Sequence, residues 1–266
     1  MTTDWLEVAG RRLECMKLDG DPALPTLVLL HEGLGCVALW RDFPERLAAA
    51  TGHPVFLYSR FGYGGSDPEP LPWRLDYMQH EGTHVLPQVL AAAGIDDYVL
   101  IGHSDGASIA LVHAATSGQS QVCCVVVMAP HVFAEACGLD SIAAVRTQYQ
   151  TGLRDKLAKY HGANVDCAFR GWSESWLHPD FARWNLEGFL PGITAPVLQL
   201  QGVDDQYGTA AQLDAIAAGV AGPCATHLLP DCRHAPQFEQ PEKTLGLIAG
   251  FIARSPCRAA ARGLVP

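Results

Sequence analysis

Short runs of aliphatic and β-branched residues recur along this chain, set apart by stretches whose apolar residues fall at helical spacing. Trp5–Val8 and Arg12–Leu18 alternate apolar and polar positions around Ala9-Gly10, the pattern of an antiparallel hairpin. The runs Thr26–Leu30, Pro54–Tyr58, Tyr98–Ile101 and Val122–Met128 are apolar almost throughout, as strands covered on both faces must be; Pro196–Leu200 and Ala225–Leu229 follow later. Helical spacing covers about Ala38–Ala50, Leu75–Ala93, the stretch after Gly106 to Ala115, Ala210–Gly219 and Gln237–Ala253. Strand and helix alternate strictly as far as Pro130. That alternation predicts an α/β fold: a mostly parallel sheet with right-handed crossovers, helices on both faces and ligands at the C-terminal edges of the strands.

From His131 to Pro191 the rhythm changes. No strand pattern is left, the helical pieces are short, and Tyr160, Phe169, Trp172, Trp176, Phe181, Trp184 and Phe189 crowd together. We read 131–191 as a helical cap inserted into a core made of 1–130 and 192–254. Most of these aromatic side chains are expected to anchor the cap, with one or two lining the pocket, for which Trp172 and Trp176 are the candidates. The tail 255–266 is Arg-rich and without periodicity, and is expected to be flexible.

Composition narrows the partners. A chain of 266 residues holds one α/β domain plus such an insertion, and its net charge of −10, with no run of Lys and Arg, argues against nucleic acid or an anionic membrane surface. A small-molecule substrate fits better. The sequence shows no signal-peptide pattern and no stretch approaching the ~18 apolar residues of a membrane span, so a cytoplasmic protein is expected. Nine cysteines, none spaced C-x-x-C, read as free thiols, with Cys123 and Cys124 facing opposite sides of one strand; no His and Cys set has zinc spacing, so no metal is expected.

The chemistry centres on Gly102-His-Ser-Asp-Gly106, which sits where a strand gives way to a helix. Gly-x-Ser-x-Gly at such a junction is a nucleophile elbow, in which a sharp turn lifts a serine hydroxyl into a cleft. The flanking glycines let strand and helix nearly touch, Ser104 is expected to hold a strained backbone, and the following helix points its N-terminus at the place where an oxyanion would form. A serine hydroxyl needs a base, and a histidine base needs a carboxylate to fix its tautomer. Asp204 and Asp205 follow one strand, His234 follows the next, and all lie on the edge of the sheet that carries Ser104.

Taken with His31-Glu-Gly-Leu-Gly35, Arg60-Phe-Gly-Tyr-Gly-Gly-Ser-Asp67, Gly202-Val-Asp-Asp205 and Cys232-Arg-His-Ala235, the elbow makes the chain resemble the α/β-hydrolase superfamily from Leu6 to Ala253. The resemblance implies an eight-stranded sheet, Ser104 as nucleophile, His234 as general base and acid, and an aspartate as orienting residue. The family spacing from Gly202 selects Asp205, with Thr209 at the closing position. It implies an oxyanion hole formed by the backbone N–H of Asp105 and one from Gly33 or Leu34, Gly33 being favoured. Where relatives carry His-Gly-x, this chain has His31-Glu32-Gly33. His31 is expected to brace its loop, His103 to pack, and Arg60 to form a buried ion pair. Glu32 stays open between a structural contact and a pocket-edge carboxylate, and Leu34 is a further pocket candidate. Asp105 stays open between a buried, hydrogen-bonded carboxylate and a group that grips a substrate amine. The implied activity is that of a serine hydrolase acting through acyl-Ser104 on a small to medium ester, thioester, lactone or activated C–C bond, with no cofactor. Acyl transfer and a non-catalytic ligand receptor are the alternatives, and relatives with an aspartate nucleophile are disfavoured by Ser104.

Overall fold

The computed structural model describes residues 3–118 and 121–255. The tail expected to be flexible therefore lies, from residue 256 on, outside the described residues. Eight strands form one sheet in the order β1-β2-β4-β3-β5-β6-β7-β8. They are β1 (Asp4–Val8), β2 (Arg11–Leu18), β3 (Thr26–Leu30), β4 (Val55–Tyr58), β5 (Tyr98–His103), β6 (Val122–Met128), β7 (Val197–Gly202) and β8 (Cys224–Leu229). β2 runs antiparallel to both β1 and β4, and every pairing from β4 to β8 is parallel. The β1–β2 turn puts Ala9 and Gly10 at φ 52 and 75, the positive pair that a two-residue hairpin of matching twist requires.

Side-chain alternation divides the core between the two faces of the sheet. Val28, Leu30, Leu100, Val125 and Val127 join one cluster; Leu27, Leu29, Val99, Ile101, Cys124 and Val126 join the other. Both faces are covered by helices, which is why the central strands are apolar at consecutive positions. The first cluster packs against α2 (Tyr77–His80), α3 (Leu86–Ala93) and α4 (Asp105–Thr116), and the second against α1 (Phe43–Thr51) and the C-terminal α10 (Pro241–Arg254). Between β6 and β7 lie α5 (Ala136–Gln148), α6 (Leu153–His161) and α7 (Val165–Trp176), with no strand of the sheet; α8 (Ala210–Gly219) and the short α9 (Pro236–Glu239) follow β7 and β8.

Helix ends differ from the sequence reading where packing or proline intervenes. The first expected helix splits into a 3-10 turn, Val37–Trp40, and α1, with Pro44 in the first turn of α1. The last splits at Gln240, because Pro241 starts α10 afresh. The expected helix over 75–93 begins at Tyr77 and widens into a π-turn, Glu81–Val85, between α2 and α3. There Gly82 lies against α4: its carbonyl accepts from His113 Nδ1 at 2.9 Å, and a Cβ on it would meet the Ile109 carbonyl oxygen at 2.9 Å. Among the described residues no helix is long and apolar enough to cross a membrane.

Candidate active site

The ends of β5, β7 and β8 converge on one cleft. Ser104 joins β5 to α4 with φ 52 and ψ −118, a strained conformation for a residue with a Cβ. Its N–H donates to the Met128 carbonyl at 2.9 Å, and its carbonyl accepts from Ala107 and Ser108. A Cβ on Gly102 would run into the Gly106 carbonyl oxygen, and one on Gly106 into that of Leu30, so only glycine fits at either flank.

His234 Nε2 stands 3.0 Å from Ser104 Oγ, and His234 Nδ1 stands 2.9 and 3.0 Å from the two carboxylate oxygens of Asp205. An ionised Asp205 can only accept, so Nδ1 carries the proton and Nε2 presents its lone pair to the serine hydroxyl. Asp205 also accepts from the Tyr207 N–H at 2.8 Å and Gln201 Nε2 at 3.3 Å. Its side chain is 1 % exposed. Burial opposes the charge, but the His234 contact outweighs it and keeps the Asp205 carboxyl below the usual carboxylate range. Asp204 is exposed, its N–H bonded to the Cys232 carbonyl. Thr209 caps α8, its hydroxyl accepting from the Ala211 N–H.

The loop after β3 forms the facing wall. A turn closed by Gly35 N–H to Glu32 O at 3.1 Å puts Gly33 and Leu34 at its tip, in the cleft. The loop is held from three sides. His31 Nδ1 donates to Glu32 O at 2.7 Å while His31 Nε2 accepts the Arg60 N–H, an arrangement that fixes a neutral tautomer. Burial, then Arg60, holds the His31 pKa well below its ordinary value. His161 Nδ1 accepts from the Gly64 N–H and Nε2 donates to Leu34 O at 3.0 Å. The Arg60 guanidinium donates to the carbonyls of His31 and Glu32, the latter at 3.1 Å, and lies over the Tyr63 ring. This corrects the expected ion pair: Arg60 meets main-chain carbonyls instead of a carboxylate, and braces the loop by doing so.

The Glu32 side chain, at the edge of the cleft, reaches toward the elbow. Its carboxylate lies 3.5 Å from His103 Nδ1, and His103 Nε2 donates to the His234 carbonyl at 2.8 Å. Burial disfavours both charges, yet their contact outweighs it, lowering the Glu32 pKa and raising that of His103. His103 thus does more than pack: it ties the loop after β3 to the His234 loop.

Asp105 is fully buried beside Ser104. Tyr77 donates its hydroxyl to one carboxylate oxygen, and Trp176 Nε1 donates to the Tyr77 hydroxyl at 2.9 Å. The other oxygen, Oδ1, has no hydrogen-bond partner. Burial raises the Asp105 pKa, with Arg60 acting in the opposite sense. The Asp105 N–H opens α4, where no earlier turn offers it an acceptor.

The cleft has a volume of about 150 Å³. Glu32, Leu34, Trp172 and Trp176 all line it, and Trp172 lies so close over Gly33 that a Cβ there would strike its indole. Four further lining residues were not anticipated: His131, Gly138, Ile142 and Tyr207. His131 follows β6, its ring 5.8 Å from that of His234, and burial draws its pKa down to about 3. The Tyr207 ring is 4.6 Å from that of His234. Position at a strand end could have identified His131; Tyr207 follows the acidic pair by only two residues. Among the described residues no cluster of His, Cys, Asp or Glu is arranged to hold a metal ion.

A parallel sheet with a strained serine, histidine and aspartate at its C-terminal edge defines the α/β-hydrolase class. The chain belongs to the alpha/beta hydrolase family, whose model matches residues 27–247. It is 32% identical over 120 residues to a proline iminopeptidase of Heyndrickxia coagulans, covering 43% of this chain and 38% of that one. To a 2-succinyl-6-hydroxy-2,4-cyclohexadiene-1-carboxylate synthase of Escherichia coli it is 31% identical over 168 residues, covering 63% of this chain and 60% of the other. The chain thus spans less than two thirds of the length of either relative. Among solved structures, an enol-lactonase from Burkholderia xenovorans LB400 superposes with a TM-score of 0.74 at 19% identity, over 94% of this chain and 100% of that one. An esterase from Exiguobacterium antarcticum gives 0.76 at 17% identity, over 95% and 100%.

Proposed function

We propose that this hydrolase cleaves a small carboxylic ester, thioester, lactone or activated C–C bond through an acyl-Ser104 intermediate. The observation that carries the reading is the continuous relay from Ser104 Oγ through His234 to buried Asp205. Ser104 attacks the carbonyl carbon as His234 Nε2 takes its proton, and Asp205 stabilises the imidazolium without being protonated itself. The oxyanion is received by the N–H groups of Asp105, at the positive end of α4, and of Gly33. His234 gives the proton to the leaving group, then activates a water that releases the acid and restores the hydroxyl. No cofactor takes part in these steps.

The apolar walls of Leu34, Ile142, Trp172 and Trp176 favour a compact, partly apolar acyl group. Residues 131–191 act as a cap over the core of 1–130 and 192–254, and supply most of that wall. The free thiols of Cys15, Cys36 and Cys232 suit the reducing conditions of a cytoplasmic setting.

The test is labelling by a fluorophosphonate alongside turnover of p-nitrophenyl acetate and a small lactone. Labelling that disappears in Ser104→Ala, with turnover lost in parallel, supports an activated nucleophile. An unlabelled native chain without turnover would reduce the relay to a structural feature of a binding protein.

A further inference from the structure

A second cavity, larger than the cleft at Ser104, lies on the other side of Tyr77. It measures about 460 Å³ and opens between the β1–β2 turn, the loop 60–76 and the helical segment from α2 through its π-turn. Phe61, Tyr63, Trp73 and Tyr77 wall it, and Arg60 and Glu81 are charged groups at its lining. Tyr77 separates it from the catalytic cleft, since its hydroxyl reaches the other way to Asp105.

Three observations meet there. Glu81 Oε2 is buried with no hydrogen-bond partner, and so is the hydroxyl of Tyr63, 1 % exposed. An unmet buried polar atom costs about 1–3 kcal/mol, so two at the wall of one cavity signal a missing partner. Glu81 also opens the π-turn Glu81–Val85, an irregularity frequent at functional sites. Finally, the other charges at the rim are already matched: Arg11 pairs with Glu69 at 2.7 Å, and Arg74 with Asp76 at 2.5 Å. Among the described residues at the lining, that leaves one cation, Arg60, held on main-chain carbonyls, and one carboxylate, Glu81.

We infer that this cavity is a second ligand site, for an uncharged, planar aromatic molecule bearing a hydroxyl or carboxamide group. Such a group donates to Glu81 Oε2 and accepts from the Tyr63 hydroxyl or Arg60, while its ring stacks among Phe61, Trp73 and Tyr77. A cationic ligand would meet Arg60, and an anionic one Glu81. The volume exceeds that of a single ring, so the site admits substituents toward the opening.

Backbone-amide NMR titration with phenol and with benzamide at pH 8, where the Glu81 carboxyl is ionised, tests this. At least one probe should give saturable shifts at residues 60–77 and 81–85, with benzoate and benzylamine binding at least about tenfold more weakly. Losing the Glu81 contact in Glu81→Leu should weaken the neutral probe about tenfold, the size of one hydrogen bond to a charged group. Absence of saturable shifts with both neutral probes, shifts centred on Ser104 and His234 instead, or equal binding of the charged probes overturns the inference. The charge comparison needs no variant, so it decides the matter even where E81L does not fold.

Discussion

At the scale of single residues, Asp204 and Asp205 are chemically identical neighbours with opposite surroundings. Asp205 is buried against His234, whereas Asp204 faces solvent. Asp205→Asn, which presents an amide to Nδ1 and favours the wrong tautomer, should lower kcat about 10³- to 10⁴-fold, while Asp204→Asn should stay within about twofold, measured on p-nitrophenyl acetate. Glu81 carries a pH signature of its own. Burial raises its pKa to about 7 from the ordinary 4.5, so between those values the unfolded chain has released a proton that the folded chain still holds. Stability falls as pH rises through that window, by up to about 3 kcal/mol. Glu81→Gln should therefore be more stable than the native chain at pH 8 and no more stable below pH 5, by denaturant unfolding. The meeting of Ser104, Asp205 and His234 in one cleft was legible because each follows a strand at the C-terminal edge. Tyr77 was not: nothing in a tyrosine near a helix start announces that its hydroxyl will cross to a carboxylate in another element.

At the scale of elements, the turns set the geometry and the helices hold it. Gly106→Ala would drive a methyl group into the Leu30 carbonyl, backbone against backbone, and should cost at least about 3 kcal/mol in denaturant unfolding. Arg60→Met removes the brace on the carbonyls of His31 and Glu32 but touches no reacting atom. It should lower kcat about tenfold with little change in KM, as expected when an oxyanion donor is held less firmly. β3 to β6 stood out in the sequence because burial on both faces demands consecutive apolar residues, and β1 and β2 because they alternate around a tight turn. The helix interruptions at Pro44 and Pro241 were written in the prolines. The π-turn was not, because it is imposed by how Gly82 seats on α4, a contact between segments far apart in the chain. For the same reason Arg60 looked like an ion-pair residue: its type was visible, but the carbonyls it would meet belong to a loop whose path only the folded sheet defines.

At the scale of the whole molecule, the eight-stranded, mostly parallel sheet was implied by family resemblance, while the contacts that shape the cleft came from the segment between β6 and β7. Its aromatic richness marked that segment as a roof, and Trp172 and Trp176 do reach the cleft. Its side-chain partners, such as His161 gripping the Leu34 carbonyl, were beyond periodicity. The wide spacing of Ser104, Asp205 and His234 also bears on how the protein comes into being. Ser104 sits before that long segment and its two partners after it, so their encounter waits on the pairing of β6 with β7 across the intervening helices. Closing so distant a contact is slow relative to local helix formation. Hydrolytic activity should therefore be the last signal to return on refolding from denaturant, lagging helical circular dichroism. A nascent chain released before β7 would hold its serine on an assembled turn with no base to awaken it.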